Sequence, residues 1–291
     1  MYGIIDIGSN TIRLKIYKIE NEKLVNVIDK KNFLRLISFR QNNVLLDEGI
    51  DKCIEVLNNY KHILELLKVS KYYIIAETVL RGLDNIDDVL EKIKALTSFD
   101  VVILSSDEEE MYSYLGATND IDCTNGCVVD IGGGSTELIF FNNKNIEFKS
   151  MILNGSLNMQ DAYFNEDNLL DFEASGIKNS VKSSLENNKI YNKAKTIIGV
   201  GGTIRALLRL KRSEDSLASS FSYDDVRRWY QTAKHNQSLW LKTLLKVSPD
   251  RVYTLTSGLI ILKTIMKWID SDEVIVSENG VREGFLYHNI K

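Results

Sequence analysis

Val128-Val129-Asp130-Ile131-Gly132-Gly133-Gly134-Ser135-Thr136-Glu137-Leu138-Ile139-Phe140-Phe141 is the stretch that decides how this chain folds. An apolar run ends in Asp130, breaks over Gly132–Ser135, and resumes from Thr136 to Phe141, which reads as strand, turn, strand. The same syntax opens the chain: Tyr2–Ile7, the turn Gly8–Asn10, then Ile12–Ile19. A third strand follows each pair, Lys23–Lys31 in the first case and Asn145–Ile152 in the second. Repeated syntax of this kind marks an internal duplication.

Outward from these hairpins, the first part reads β-β-β-α-β-α-β-α. Cys53, Ile54, Leu57, Tyr60, Ile63, Leu64 and Leu67 form a 3.6-residue stripe that predicts a helix over Asp51–Lys68. Strands are expected at Tyr72–Ala76 and Val101–Leu104, and helices at Asn85–Leu96 and Asp107–Leu115. In the second part a helix is expected over Asn168–Leu185, then the strand Thr196–Val200 running through Gly201-Gly202 into a helix. Further helices, the strand Glu273–Val276 and a last helix after Gly280 complete the pattern. The expectation is an α/β protein with domains at residues 1–118 and 119–291, the last helix packing back on the first domain.

Bulk composition excludes several classes. With 291 residues, 44% hydrophobic and 26% charged, the chain has the make-up of a soluble globular protein of two domains. A net charge of −4 is no nucleic-acid footprint, so an anionic substrate needs a local cluster of donors. No secretory signal is visible, and no run of about 18 apolar residues occurs. Three cysteines, Cys53, Cys123 and Cys127, leave no even pairing and suit a reducing cytosol. No nucleic-acid partner and no membrane are expected, and the location expected is cytoplasmic. Cys123 and Cys127 lack further ligands nearby for zinc and read as a loop thiol and a strand thiol.

The two Asp-Ile-Gly turns suit phosphate work. Glycine brings backbone N–H groups close to an anion, and Ser9, Asn10, Ser135 and Thr136 add side-chain donors. An aspartate ending each first strand, Asp6 and Asp130, can hold Mg²⁺, which takes one or two carboxylates with phosphate oxygens. Either turn alone reads better as an ordinary glycine hairpin; the pair, in duplicated settings, favours the phosphate reading. The Gly201-Gly202-Thr203 turn is either a second anion site at a helix N-terminus or a close strand–helix crossing. Asp107-Glu108-Glu109-Glu110 has two readings as well: capping-box partners of Ser105 and Ser106, or a carboxylate acting as general base. Arg205, Arg209, Lys211 and Arg212 form a basic cluster that is either a solvated face or a contact for a phosphate tail.

These segments together resemble the exopolyphosphatase and guanosine pentaphosphate phosphohydrolase family of the sugar kinase–actin–heat-shock-70 superfamily. The resemblance runs nearly end to end, through Gly3–Thr11, Leu80-Arg81, Asp107–Gly116, Val129–Glu137, Gly199–Thr203 and Gly280–Gly284. It implies two duplicated ribonuclease H-like (actin-like) domains with a central cleft that holds the active site. It implies Glu109 as catalytic base and Arg81 as a phosphate-binding arginine. Asp130 and Glu137 then match magnesium-associated carboxylates, with Asp6 nearby; other divalent metals are compatible. Ser9, Asn10 and Gly132-Gly133-Gly134-Ser135 match phosphate-cradling turns, with Gly201 and Gly202 added. The implied reaction releases terminal orthophosphate from inorganic polyphosphate or guanosine pentaphosphate, and a homodimer is compatible. The rivals are an ATP-dependent kinase of the same superfamily and a non-catalytic polyphosphate or alarmone sensor. The chain departs from the family pattern in four places: Ser106 stands for Gly, Glu110 for Ala, Glu77 for Thr, and the segment Asn154–Asn158 keeps its Gly but lacks the usual basic residue near Asn158. The chain ends soon after Gly284, which matches the short two-domain form.

Overall fold

The structure is a computed structural model describing residues 1–21, 23–165 and 168–290. It divides into two compact units, Met1–Tyr112 together with the C-terminal stretch from Phe285, and Ser113–Gly284.

In the first unit β1 (Tyr2–Ile7), β2 (Thr11–Glu20) and β3 (Lys23–Phe33) form an antiparallel meander. A small hairpin of β4 (Arg40–Gln41) and β5 (Val44–Leu45) leads into α1 (Asp47–Leu66). Then come β6 (Lys71–Ala76), α2 (Ile86–Thr97), β7 (Val101–Ile103) and α3 (Ser106–Thr118), whose last residues belong to the second unit. The sheet order is β3-β2-β1-β6-β7, with β6 and β7 parallel to β1. β1 is central, so it reads as a nearly continuous apolar run, with Ile4, Ile5 and Ile7 fully buried. The α1 stripe packs Ile50, Cys53, Leu57, Tyr60 and Leu64 onto one face of this sheet. Asp47 and Glu48 in the first turn of α1 suit its N-terminal dipole, and the helix starts there rather than at Asp51.

The second unit repeats the plan. β8 (Gly126–Ile131), β9 (Thr136–Asn142) and β10 (Asn145–Ile152) form its meander. α4 (Ser156–Tyr163) and a hairpin of β11 (Phe164–Asn165) and β12 (Asn168–Phe172) precede α5 (Ala174–Asn187). β13 (Thr196–Val200), α6 (Gly201–Arg212), β14 (Ser220–Ser222), α7 (Tyr223–His235) and α8 (Gln237–Val247) come next. α9 (Leu255–Ile269) and β15 (Glu273–Val276) follow, and α10 (Val281–Asn289), whose residues from Phe285 belong to the first unit, comes last. The sheet order is β10-β9-β8-β13-β15-β14. In both units a three-stranded antiparallel meander is followed by two parallel strands, the ribonuclease H-like arrangement, and the second unit adds β14, antiparallel to β15, at the edge; the fold is two such α/β units in duplicate.

The helix expected over Asn168–Leu185 is corrected: it begins only at Ala174. The preceding residues pair as a hairpin, and the Phe164 and Phe172 rings stack across it at 5.1 Å. A cross-strand aromatic pair outweighs helix propensity there. α4, which the sequence pattern does not announce, carries little amphipathic signal because it is held by its N-terminus. Among the described residues, no helix is long and apolar enough to cross a membrane.

Candidate active site

The turn Gly132–Ser135 is set by the segment after β10. The N–H groups of Ser156, Leu157 and Asn158 donate to the carbonyls of Gly132 and Gly133, at 2.8, 2.8 and 3.1 Å. Ser156 Oγ adds a bond to the Gly132 carbonyl at 3.0 Å, and Asn158 Nδ2 reaches the Gly134 carbonyl at 3.0 Å. Three successive carbonyls are thereby spent on the N-terminus of α4. In a planar trans peptide the N–H points opposite to the C=O. The N–H groups of Gly133, Gly134 and Ser135 therefore face the other way, on a turn whose Gly133 and Gly134 are exposed. Successive N–H groups so disposed make an anion nest. Gly155 allows the approach: a Cβ there would collide with the Gly133–Gly134 backbone.

Below the nest, β8 and β9 pair so that Asp130 lies directly across from Glu137. Two carboxylates at directly opposed positions repel, which a sheet tolerates where something cationic offsets them. Ser135 Oγ donates to Glu137 Oε1 at 2.6 Å, fixing one side chain. The Asp130 carboxylate lies against Gly201, which has φ 83° and no room for a Cβ. Thus the Gly201-Gly202 turn, at the N-terminus of α6, is brought to Asp130, and Thr203 Oγ1 ties it to the Ile131 carbonyl at 3.0 Å. The Arg251 guanidinium lies against Gly202, again where a Cβ would collide. Sequence reasoning missed Arg251; its one local signal is the chain's single proline, Pro249, which opens the short 3-10 turn Pro249–Arg251 that carries it.

In the first unit the turn Gly8–Thr11 has the same closure, Gly8 N–H to the Thr11 carbonyl at 3.0 Å against Gly132 N–H to the Ser135 carbonyl at 2.9 Å. Its carbonyls are spent likewise: Asn10 accepts from Leu34 and Arg35, and Ser9 from Ile37. Asp6, 5% exposed, faces Arg13 across the strands where Asp130 faces Glu137. Arg13 is itself paired with Asp29 on β3.

The acidic run at the start of α3 splits between its two readings. Glu108 accepts from Ser105 N–H and Oγ at 2.9 and 2.8 Å, while its own N–H donates to Ser105 Oγ at 3.2 Å, a complete capping box. The Ser105 bonds hold the Glu108 carboxyl below its usual range. Glu109 is left for another purpose: its carboxylate binds the Arg81 guanidinium, whose other arm binds Ser106 Oγ. The departure at Ser106 thus anchors Arg81. The Glu77 carboxylate lies beside the first turn, 3.7 Å from where a Cβ on Gly8 would stand.

Other motifs have structural employment. Arg209 binds Ser248 and Asp250, Lys211 binds Asp225, and Arg212 binds the Ala218 carbonyl, so this cluster ties α6 to its neighbours. Glu283, fully buried, accepts from Gly280 N–H at 2.8 Å and caps α10. Burial pushes the Cys53 thiol up to about 12 and raises Cys127 further. Among the described residues no group of three or more His, Cys, Asp or Glu converges as a metal cage. A cation would therefore have a carboxylate pair and complete its shell from elsewhere, the habit of Mg²⁺.

A duplicated ribonuclease H-like scaffold whose glycine turns leave N–H groups outward has the geometry suited to holding phosphate. The Ppx/GppA phosphatase family model matches residues 15–291, and the chain belongs to that family. A bifunctional 3-dehydroquinate synthase/phosphatase of Fusobacterium nucleatum is 27% identical over 99% of this chain and 46% of its own length. A guanosine-5'-triphosphate,3'-diphosphate pyrophosphatase of Aliivibrio fischeri is 25% identical over 99% of this chain and 59% of its own. The chain thus spans about half the length of the curated relatives it matches. Among solved structures, the Aquifex aeolicus family member superposes with a TM-score of 0.84 at 25% identity, covering 99% of this chain and 97% of that one. An exopolyphosphatase from Cytophaga hutchinsonii has the same fold, with a TM-score of 0.80, 20% identity, and coverage of 98% and 96%.

Proposed function

We propose that the chain is a phosphohydrolase that releases terminal orthophosphate from inorganic polyphosphate, guanosine pentaphosphate or both. The observation that carries this reading is the Gly132–Ser135 turn, whose carbonyls are spent on α4 and whose hairpin pairs Asp130 with Glu137. Family membership and the names of the relatives support the same class of bond. Glu109 is the base that takes the proton of the attacking water, an effect of roughly 10²–10⁴-fold for a positioned group. Arg81 orients Glu109 and neutralises phosphoryl oxygens. The Gly133, Gly134 and Ser135 N–H groups, with Gly201, Gly202 and Arg251, hold the phosphate chain; Ser9 and Asn10 are assigned the same role in the first unit.

The donor set fits magnesium. Asp130 and Glu137 would hold it, and Ser135 keeps Glu137 in place to do so. When bound, Mg²⁺ neutralises charge on the phosphoryl oxygens. Asp6 holds the equivalent strand position, but the residue opposite it is Arg13 rather than a second carboxylate, so the second-unit pair is the stronger claimant.

Phosphate release from polyphosphates of several lengths and from guanosine pentaphosphate tests the proposal, with parallel arms in EDTA and with ATP. Release that requires Mg²⁺ is expected. Turnover of ATP alone would point to a kinase or ATPase, and binding without release to a regulator; either overturns the reading.

A further inference from the structure

A second basic region lies far from the turn. α5 presents Lys178 and Lys182, and α9 presents Lys263 and Lys267, each pair four residues apart and so on one helix face. Lys193 joins them from the loop before β13. Together with Trp268 these lysines line a groove of about 520 Å³ in the second unit. The pairs converge because α5 packs against α9.

Like charges so close repel, and the fold does little to relieve them. Among the described residues, none of the five lysines is ion-paired with a carboxylate. The other basic cluster of this unit, Arg209 to Arg212, is bonded throughout. What the groove offers instead is weak. Lys178 donates to Tyr230 Oη at 2.7 Å, and the Lys178 and Lys263 ammoniums lie 4.4 and 4.8 Å from the Tyr230 ring centroid. Lys193 donates to the Trp268 carbonyl at 2.5 Å. Burial, then Lys178, Lys267 and Arg227, push the Lys263 ammonium below its ordinary range. The indole of Trp268 is pinned by its N–H to the Ile190 carbonyl at 2.6 Å, which leaves a fixed aromatic wall.

We propose that this groove is a binding site for an oligophosphate anion, separate from the Gly132–Ser135 turn. Five point-charge donors without an arginine fork match dense, diffuse negative charge rather than a single planar carboxylate. A phosphate chain carries that density in a small volume. A nucleic acid fits less well, since the net charge is −4 and these cations are confined to one groove. α9 connects the two places: Ser257 near its start donates to the Ser156 carbonyl at 2.5 Å, beside the glycine turn. Lys267, ten residues further on, is about 15 Å along the helix.

The test is titration calorimetry of the full chain with inorganic tripolyphosphate in EDTA, where no turnover is read. Wild type is compared with Lys182→Gln/Lys267→Gln, and with Lys182→Arg/Lys267→Arg as the charge-preserving control. The glutamine pair should weaken one class of site at least tenfold, and raising salt should weaken that same class in wild type. The arginine pair should keep it. A second titration with GTP, read by Trp268 emission and its loss in Trp268→Phe, separates the two sources of this chemistry. GTP binding tighter than tripolyphosphate assigns a nucleotide, and equal binding assigns the phosphate chain alone. Binding unchanged in the glutamine pair, or lost equally in the glutamine and arginine pairs, overturns the proposal. If the hydrolytic reading alone is wrong, wild type still shows the groove site, and the glutamine pair still loses it.

Discussion

The two turns of this molecule share a backbone and differ in charge. Gly8–Thr11 and Gly132–Ser135 close with the same bond and surrender their carbonyls to the segment after the third strand. In the first unit that segment is a short 3-10 turn, Leu36–Phe39; in the second it is α4. The residue facing the strand-ending aspartate is Arg13 in one and Glu137 in the other. Duplication supplied one turn geometry twice. At a single cross-strand position one frame carries an arginine, itself held by Asp29, and the other a second carboxylate.

That difference can be broken by exchange. Glu137→Arg gives the second turn the pattern of the first, so phosphate release should fall by at least about 10²-fold, the scale of a metal's several kcal/mol. Arg13→Glu should leave activity within about threefold, because the Asp130–Glu137 pair is untouched, and should act mainly on stability, through the lost Asp29 pair and the new repulsion against Asp6 and Asp29. Equal losses of activity in both variants would end the asymmetry. Titrating Mg²⁺ into each variant after EDTA treatment checks the same point, with only Glu137→Arg expected to need far more metal.

Gly155→Ala addresses the frame rather than the charge. The added methyl must push α4 from the turn, an overpacking cost of about 1–3 kcal/mol. Thermal unfolding should show that loss, and the Michaelis constant should rise because the N–H groups no longer converge. A destabilised variant with an unchanged Michaelis constant would mean that the nest does not hold substrate.

Effects shrink away from the nest. Glu77→Thr should lower the Michaelis constant for phosphate chains a few-fold, since a carboxylate beside the first turn repels a polyanion. Steady-state kinetics at low and high salt decide it; a raised constant would make Glu77 an orienting partner. The smallest effect belongs to Ser105→Ala, which removes the α3 cap at a cost of about 1 kcal/mol without touching kcat. Because Glu108 is held below its usual range, the stability it contributes is present at neutral pH. That contribution is lost as pH falls through its folded value. Urea unfolding of wild type and variant should therefore converge in acid; a gap that persists there would remove Glu108 from the cap.

The residues show why some of this was legible in the sequence and some was not. Strands Tyr2–Ile7, Gly126–Ile131, Asn145–Ile152, Thr196–Val200 and Glu273–Val276 were readable to the residue, because apolar runs stop at glycine or polar turns. The two Asp-Ile-Gly turns were readable for the same reason. α4 was not, because docking on the turn's carbonyls holds it, and no stripe records that. The Asn168–Phe172 strand was hidden by its aromatic partner in Phe164. Pattern alone could not separate Glu108 from Glu109; the capping geometry does. Arg251 and the five groove lysines come from distant segments, whereas Arg209, Lys211 and Arg212 of the conspicuous basic run are occupied in holding α6.

The central claim is that Glu109, outside the capping box and held by Arg81, is the base of a phosphoanhydride hydrolase. Its most direct test is Glu109→Gln assayed side by side for orthophosphate release and for equilibrium binding of polyphosphate. The account predicts turnover lower by about 10²–10⁴-fold with binding kept within a few-fold of wild type. Full turnover in Glu109→Gln would contradict it and place the base elsewhere.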